Sequence, residues 1–209
     1  MYTFIIYLVK FLIKIITGGI DVRNKQNLPQ DDNYILAGPH RAWWDPVFYA
    51  VVSLPKRFIF MAKKENFKFK PFGWFISKLG AFPVDRENPG PSAIKIPVKE
   101  LKSGNRSLII FPSGSRHSSE LLNGAALIAR LSGKPIVPMV YQGPVVLKGL
   151  FKRHSAVINI GKPITVDRKD TEDEITAKLQ TALEQLDKET NPEWKYVDPH
   201  PKQRNKKKS

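Results

Sequence analysis

The feature that most limits the fold is an alternation that starts after Gly18-Gly19, where short β-type runs take turns with helix-like segments. The runs fall at 34–38, 57–61, 81–84, 106–111, 136–141 and 156–160, with helical segments at 46–53, 72–79, 92–103 and 123–132. Strands that alternate with helices are buried between helical layers, so the spacing predicts an α/β domain with a largely parallel central sheet flanked by helices. Pro97 predicts a kink or an early stop in the third helix, because it removes a main-chain N–H and its ring crowds the preceding turn. The last helix is the best specified. Thr171 and Glu174 form a capping box, Ile175, Leu179, Leu183 and Leu186 share one face, and the helix should end near Thr190, before Asn191-Pro192. With 209 residues, 42% of them hydrophobic, the chain can bury one core of ordinary size, and no internal repeat marks a second domain.

Both ends differ from this pattern. Residues 1–20 are rich in Ile, Leu and Phe, yet Lys10 and Lys14 interrupt the run, which falls short of the roughly 20 apolar residues needed to span a bilayer. On a helix, Thr3, Tyr7, Lys10, Lys14 and Thr17 make a narrow polar stripe, and Phe4, Ile5, Leu8, Phe11, Leu12 and Ile15 belong to a broad apolar face. That pattern predicts an amphipathic helix lying on a membrane surface, with its lysines reaching headgroups; a helix covering the core is the competing reading. Residues 191–209 form a tail, strongly basic from Asp198 onward and too polar to fold alone, with adhesion to anionic lipid as its functional reading. The division is therefore 1–20, an interfacial helix; 21–190, the α/β domain; and 191–209, the tail.

Thirty-four Lys and Arg against nineteen Asp and Glu give a formal charge of +15 and point to an anionic partner: lipid, nucleic acid, or an acidic substrate or protein. Cysteine is absent, which rules out disulfides, thiolate metal sites and a cysteine nucleophile. His40, His117, His154 and His200 show no metal-binding spacing, so neither metal nor cofactor is expected.

Chemistry concentrates at strand ends. His40 and Asp45, in His-Arg-Ala-Trp-Trp-Asp, lie between a β-run and a helix that Asp45-Pro46 should start, with Asp45 also serving as a cap. On one helix their side chains would point about 140° apart; across a loop that turns into a helix, they can meet. A second junction, Ser113-Gly114-Ser115-Arg116, follows the run at 106–111, and parallel sheets gather such loops on one edge. Gly114 permits close backbone approach, Ser115 leaves space, and Arg116 offers a planar fork for phosphate. Lys63 and Lys64, and Asp85 with Arg86, follow two more strands. Trp43 and Trp44 fit an acyl path, a membrane interface or the core. Phe67, Phe69, Phe72, Trp74 and Phe75, interleaved with Lys68 and Lys70, make a basic-aromatic patch.

This order of motifs resembles the glycerolipid acyltransferase family, in particular its bacterial lysophosphatidic acid acyltransferases. The resemblance rests on His40-x4-Asp45, Lys63-Lys-Glu65, Val84-Asp85-Arg86, Phe111-Pro-Ser-Gly-Ser-Arg-His117 and Pro135-Ile-Val-Pro138. It implies transfer of a fatty acyl group from acyl-CoA or acyl carrier protein to the sn-2 hydroxyl of lysophosphatidic acid. His40 would be the general base, Asp45 its orienting partner, and Lys63, Arg86 and Arg116, with Gly114 and Ser115, the phosphate site. An unperturbed imidazole, with a pKa near about 6.5, suits that proton transfer at neutral pH. No G-x-S-x-G elbow occurs, which weighs against a serine hydrolase. Ser113 stands where the family usually has glutamate, and this motivates a second reading, an acyltransferase for another lysophospholipid or lipid alcohol. A third is a non-catalytic basic protein that binds membranes or nucleic acid; it explains the charge but not the spacing of His40, Asp45 and Arg116. The expected location is the cytoplasmic face of the cell membrane, peripheral or monotopic. Nucleic acid is not the expected partner, and the sequence does not fix the oligomeric state.

Overall fold

The computed structural model describes residues 2–85, 88–113, 118–167 and 169–198. Seven strands form one sheet in the order β1-β7-β6-β2-β5-β3-β4. They are β1 (Asp21–Arg23), β2 (Ile35–Pro39), β3 (Arg57–Lys63), β4 (Ala81–Val84), β5 (Arg106–Ser113), β6 (Ile136–Gln142) and β7 (Val157–Ile160). Every pairing between neighbours is parallel except that of β6 with β7. The helices are α1 (Tyr2–Thr17), α2 (Asp45–Val52), α3 (Lys70–Lys78), α4 (Ser92–Ser103), α5 (Ser118–Ser132), α6 (Leu147–Leu150) and α7 (Glu172–Thr190). The expected α/β architecture with a mostly parallel sheet is therefore the one observed.

Two cores lie on the two faces of the sheet, and strand periodicity assigns side chains to them. Tyr34 and Leu36 join Val137, Met139, Tyr141 and residues of α1 and α2 on one face, including Tyr2, Ile6, Phe48 and Tyr49. Ile35 and Ala37 join Ile136, Val140 and residues of α4, α5 and α7 on the other. This is the alternation that a strand buried on both sides requires. α7 carries the predicted capping box: Glu174 N donates to Thr171 Oγ1 while the Glu174 carboxylate accepts from Thr171 N. Its buried stripe is Ile175, Leu179, Leu183 and Leu186.

Three local expectations change. α4 runs unbroken through Pro97, which is buried one turn into the helix; the missing N–H deprives only the carbonyl of Ala93 of its usual partner. β1 appears where no apolar run predicted it, as a three-residue edge strand paired with β7. β3 and β5 also run past the predicted ends, so that Lys63 and Ser113 are themselves strand residues.

Gly38 shows how closely the layers approach next to the chemistry. Tyr49 Oη, on α2, donates to the Met139 carbonyl on β6 at 2.9 Å, directly over Gly38 on β2. A Cβ at Gly38 would intrude on both partners. Gly38→Ala is therefore expected to cost about 1–3 kcal/mol by overpacking, read as a lower midpoint in thermal or denaturant unfolding.

Candidate active site

The carboxyl ends of β2, β3, β4, β5 and β6 share one edge of the sheet, and β2 is where the strand order turns back: β5, β3 and β4 lie to one side of it, and β6 to the other. Ligands bind at such switch points in open α/β sheets. β2 ends at Pro39, paired with Ser113 at the end of β5. β3 ends at Lys63, paired with Val84 at the end of β4. His40 follows β2 directly, and Asp45 is the first residue of α2.

His40 and Asp45 meet as the spacing predicted. His40 Nδ1 lies 3.3 Å from Asp45 Oδ2, at the long end of a hydrogen bond. The Asp45 side chain has 0% exposure and that of His40 has 37%, so a buried carboxylate backs an imidazole that reaches the surface. Nδ1 faces Asp45, and Nε2 has no hydrogen-bond partner among the described residues. The imidazole also stacks on Phe111 of β5, with ring centroids 4.8 Å apart.

Asp45 does not cap the helix it starts. Trp44 occupies the cap position, and no side chain there accepts a helix N–H. The carboxylate is turned back onto the preceding loop instead, where Oδ2 accepts from Arg41 N at 2.6 Å and Ala42 N at 2.8 Å as well as facing His40. Oδ1 is buried and has no partner among the described residues. The loop itself thus aims the carboxylate at the imidazole.

Groups behind the loop are dry and hold their protons. Burial, reinforced by the charge of Asp45, pushes the Tyr49 hydroxyl well above its ordinary value. Burial likewise pushes Tyr141 up to about 12. Both therefore act as donors, Tyr49 to Met139 O at 2.9 Å and Tyr141 to Pro144 O at 2.8 Å.

Of the predicted phosphate-site residues, Lys63 lies at the end of β3 with an exposed side chain, on the same sheet edge as His40. Arg86, Gly114, Ser115 and Arg116 lie outside the described residues, as does His117. Lys64 forms an ion pair with Asp85 at 2.5 Å, joining the ends of β3 and β4. The two tryptophans divide: Trp44 is 4% exposed in the core, whereas Trp43, on the loop between His40 and Asp45, is 71% exposed.

Sequence reasoning missed Arg41. Its guanidinium makes a two-pronged contact with Asp187 on α7, at 2.9 and 2.6 Å, and donates to Tyr141 O at 2.7 Å. The side chain adjoins a recognised histidine, but nothing in the sequence ties it to an acid 146 positions away.

Comparison with known proteins places the chain in a family. Residues 19–142 match the family model described as Acyltransferase. The chain is 47% identical over 211 residues to a 1-acyl-sn-glycerol-3-phosphate acyltransferase of Streptococcus pneumoniae, covering 94% of this chain and 80% of that protein. It is 45% identical over 166 residues to the protein of the same name from Bacillus subtilis, covering 78% and 82%. Among solved structures, a 1-acyl-sn-glycerophosphate acyltransferase of Thermotoga maritima superposes with a TM-score of 0.67 over 91% of this chain and 83% of that one. At 22% identity, that likeness is one of fold.

Proposed function

This chain belongs to the acyltransferase family and is of its bacterial 1-acyl-sn-glycerol-3-phosphate acyltransferase type; from that premise we propose how it works. The enzyme moves a fatty acyl group from an acyl thioester, acyl-CoA or acyl carrier protein, to the sn-2 hydroxyl of lysophosphatidic acid, giving phosphatidic acid. The observation that carries the reading is the His40–Asp45 pair at the carboxyl edge of β2, with Nδ1 turned toward a buried carboxylate. That arrangement leaves Nε2 to take the proton from the acceptor hydroxyl as its oxygen attacks the thioester carbonyl. When the tetrahedral intermediate collapses, the C–S bond breaks and the proton passes from Nε2 to the departing sulfur. Asp45 holds the tautomer and offsets the charge of the imidazolium. No cofactor is needed beyond the thioester. Lys63, Arg86 and Arg116 would hold the acceptor phosphate, with Gly114 and Ser115 letting the backbone approach it.

Ser113, at the end of β5 where the family usually has glutamate, supports a second reading, an acyltransferase for another lysophospholipid or lipid alcohol. An acceptor panel separates the two. With either donor, lysophosphatidic acid should be acylated fastest; a clear preference for a phosphate-free acceptor would contradict the phosphate site.

A membrane surface would bring lipid acceptor and product to the site. No helix among the described residues is long and apolar enough to cross a membrane. α1 nevertheless exposes Phe4, Leu8, Phe11, Leu12 and Ile15, α3 and the turn before it expose Phe69, Phe72, Trp74 and Phe75, and the loop after His40 exposes Trp43. Peripheral attachment through these side chains, with lysines meeting anionic headgroups, fits an interfacial protein of this charge. Co-sedimentation with vesicles containing an anionic phospholipid should recover the wild type. Phe4→Glu with Phe11→Glu should bind at least about tenfold more weakly, because each phenyl withdrawn from the acyl region forfeits about 1.5–3 kcal/mol when fully buried. Unchanged binding by that variant would contradict attachment through α1.

A further inference from the structure

The hydrogen bonds around Asp45 put the precision of the dyad in the loop rather than in the histidine. The two main-chain N–H groups, at 2.6 and 2.8 Å, grip Oδ2 more closely than His40 does at 3.3 Å. The shorter of the two comes from Arg41, and the Arg41 side chain is fastened on the far side of the loop. The side chain is 11% exposed, and its guanidinium binds both carboxylate oxygens of Asp187 and donates to Tyr141 O at the end of β6. Gln142 completes the arrangement, donating from Nε2 to Asp187 Oδ1 at 2.7 Å and Asp187 O at 2.8 Å. Trp194, beyond the end of α7, stands over the guanidinium with its ring centroid 4.7 Å away. The ion pair is only partly buried, with 31% of the Asp187 side chain exposed, and such a pair adds little stability by itself. A planar, two-pronged contact does fix direction.

We propose that Arg41, fastened by Asp187 and Gln142, is a positioning residue for the dyad, setting the loop between β2 and α2 from the last helix so that Asp45 meets His40. The inference rests on the reading of His40 as general base. Arg41 acts through its own N–H and that of Ala42 and does not touch substrate. α7 and Trp194 are thereby part of what the active site depends on, although they contribute no reacting group. A misplacement of about 1 Å can cost roughly 10²-fold in rate, and the 3.3 Å separation of His40 from Asp45 leaves little room for it.

The test measures kcat, KM for lysophosphatidic acid and thermal midpoint for Arg41→Ala, Arg41→Lys, Asp187→Asn and the double variant Arg41→Ala with Asp187→Asn. Arg41→Ala should lower kcat by about 10- to 100-fold with KM within about threefold of wild type. Asp187→Asn, which keeps the side-chain shape, should lower kcat in the same sense, and the double variant should be no worse than Arg41→Ala alone. Lysine should restore activity only in part, because an ammonium cannot make the two-pronged contact. Wild-type kcat in folded Arg41→Ala or Asp187→Asn would overturn the proposal, even with a lowered midpoint. So would a raised KM at unchanged kcat, which would mark Arg41 as a substrate-binding group. His40→Ala, measured alongside, separates the two claims. An inactive His40→Ala with undiminished Arg41 and Asp187 variants overturns the positioning role alone; an active His40→Ala overturns the base and the positioning role together.

Discussion

Replacing His40 with alanine is expected to lower kcat by about 10²- to 10⁴-fold, the usual contribution of a positioned general base, while the protein still folds. The second half of the expectation follows from burial. The His40 side chain is partly exposed, and its described contacts are with Asp45 and Phe111, so its loss opens no cavity in either core. What remains after the substitution is binding and the alignment of acceptor and thioester, which supply the rest of the rate enhancement. KM for lysophosphatidic acid should change little, because the phosphate is assigned to Lys63, Arg86 and Arg116. Circular dichroism and a thermal melt, taken beside the turnover measurement, check that the loss is chemical.

Asp45 should show a loss of activity that comes with a loss of stability, and two substitutions take these apart. Asp45→Ala removes the acceptor for two main-chain N–H groups in a partly buried loop, at up to about 1–3 kcal/mol for each donor left without a partner. It also frees the imidazole to rotate. Turnover should fall at least about 10²-fold, with a clear drop in the unfolding midpoint. Asp45→Asn is a different experiment here. The N–H groups of Arg41 and Ala42 require an oxygen at the Oδ2 position, so the amide nitrogen takes the place of Oδ1, which has no partner among the described residues. The loop and the His40 tautomer therefore survive, and only the charge is lost. A hydrogen bond to a charged group exceeds a neutral one by about 1–2 kcal/mol, so kcat should fall roughly 5- to 30-fold, with a smaller drop in midpoint than Asp45→Ala shows. Equal losses of stability in the two variants would contradict the assignment of Oδ2 as the acceptor that holds the loop.

The parts of this protein that the sequence disclosed are those governed by local rules. Apolar runs became strands because a strand buried on both faces needs no polar alternation, and the Thr171–Glu174 box became a cap because both of its hydrogen bonds close within four residues. The edge strand β1 escaped notice because its residues, Asp21, Val22 and Arg23, carry no apolar run; pairing with β7 makes it a strand. The His40–Asp45 pair was legible because a loop entering a helix can return a side chain across five positions. The direction of the Asp45 carboxylate was not, since helix rules point it forward whereas the loop amides draw it back. Arg41 and Asp187 lie still further from local reasoning. Their contact depends on α7 crossing the end of β6, and no spacing in the chain encodes that.

The central claim is direct transfer, with His40 taking the proton from the acceptor and no acyl group resting on the protein. It is tested most directly by mixing stoichiometric enzyme with an acyl thioester carrying a labelled acyl chain, with and without lysophosphatidic acid, and following thiol release together with the label. Direct transfer predicts thiol release only when the acceptor is present, one equivalent for each phosphatidic acid formed, with His40→Ala slowed in the same proportion for both products. A burst of thiol equal to the enzyme concentration in the absence of acceptor, with the label retained on denatured protein, would contradict it.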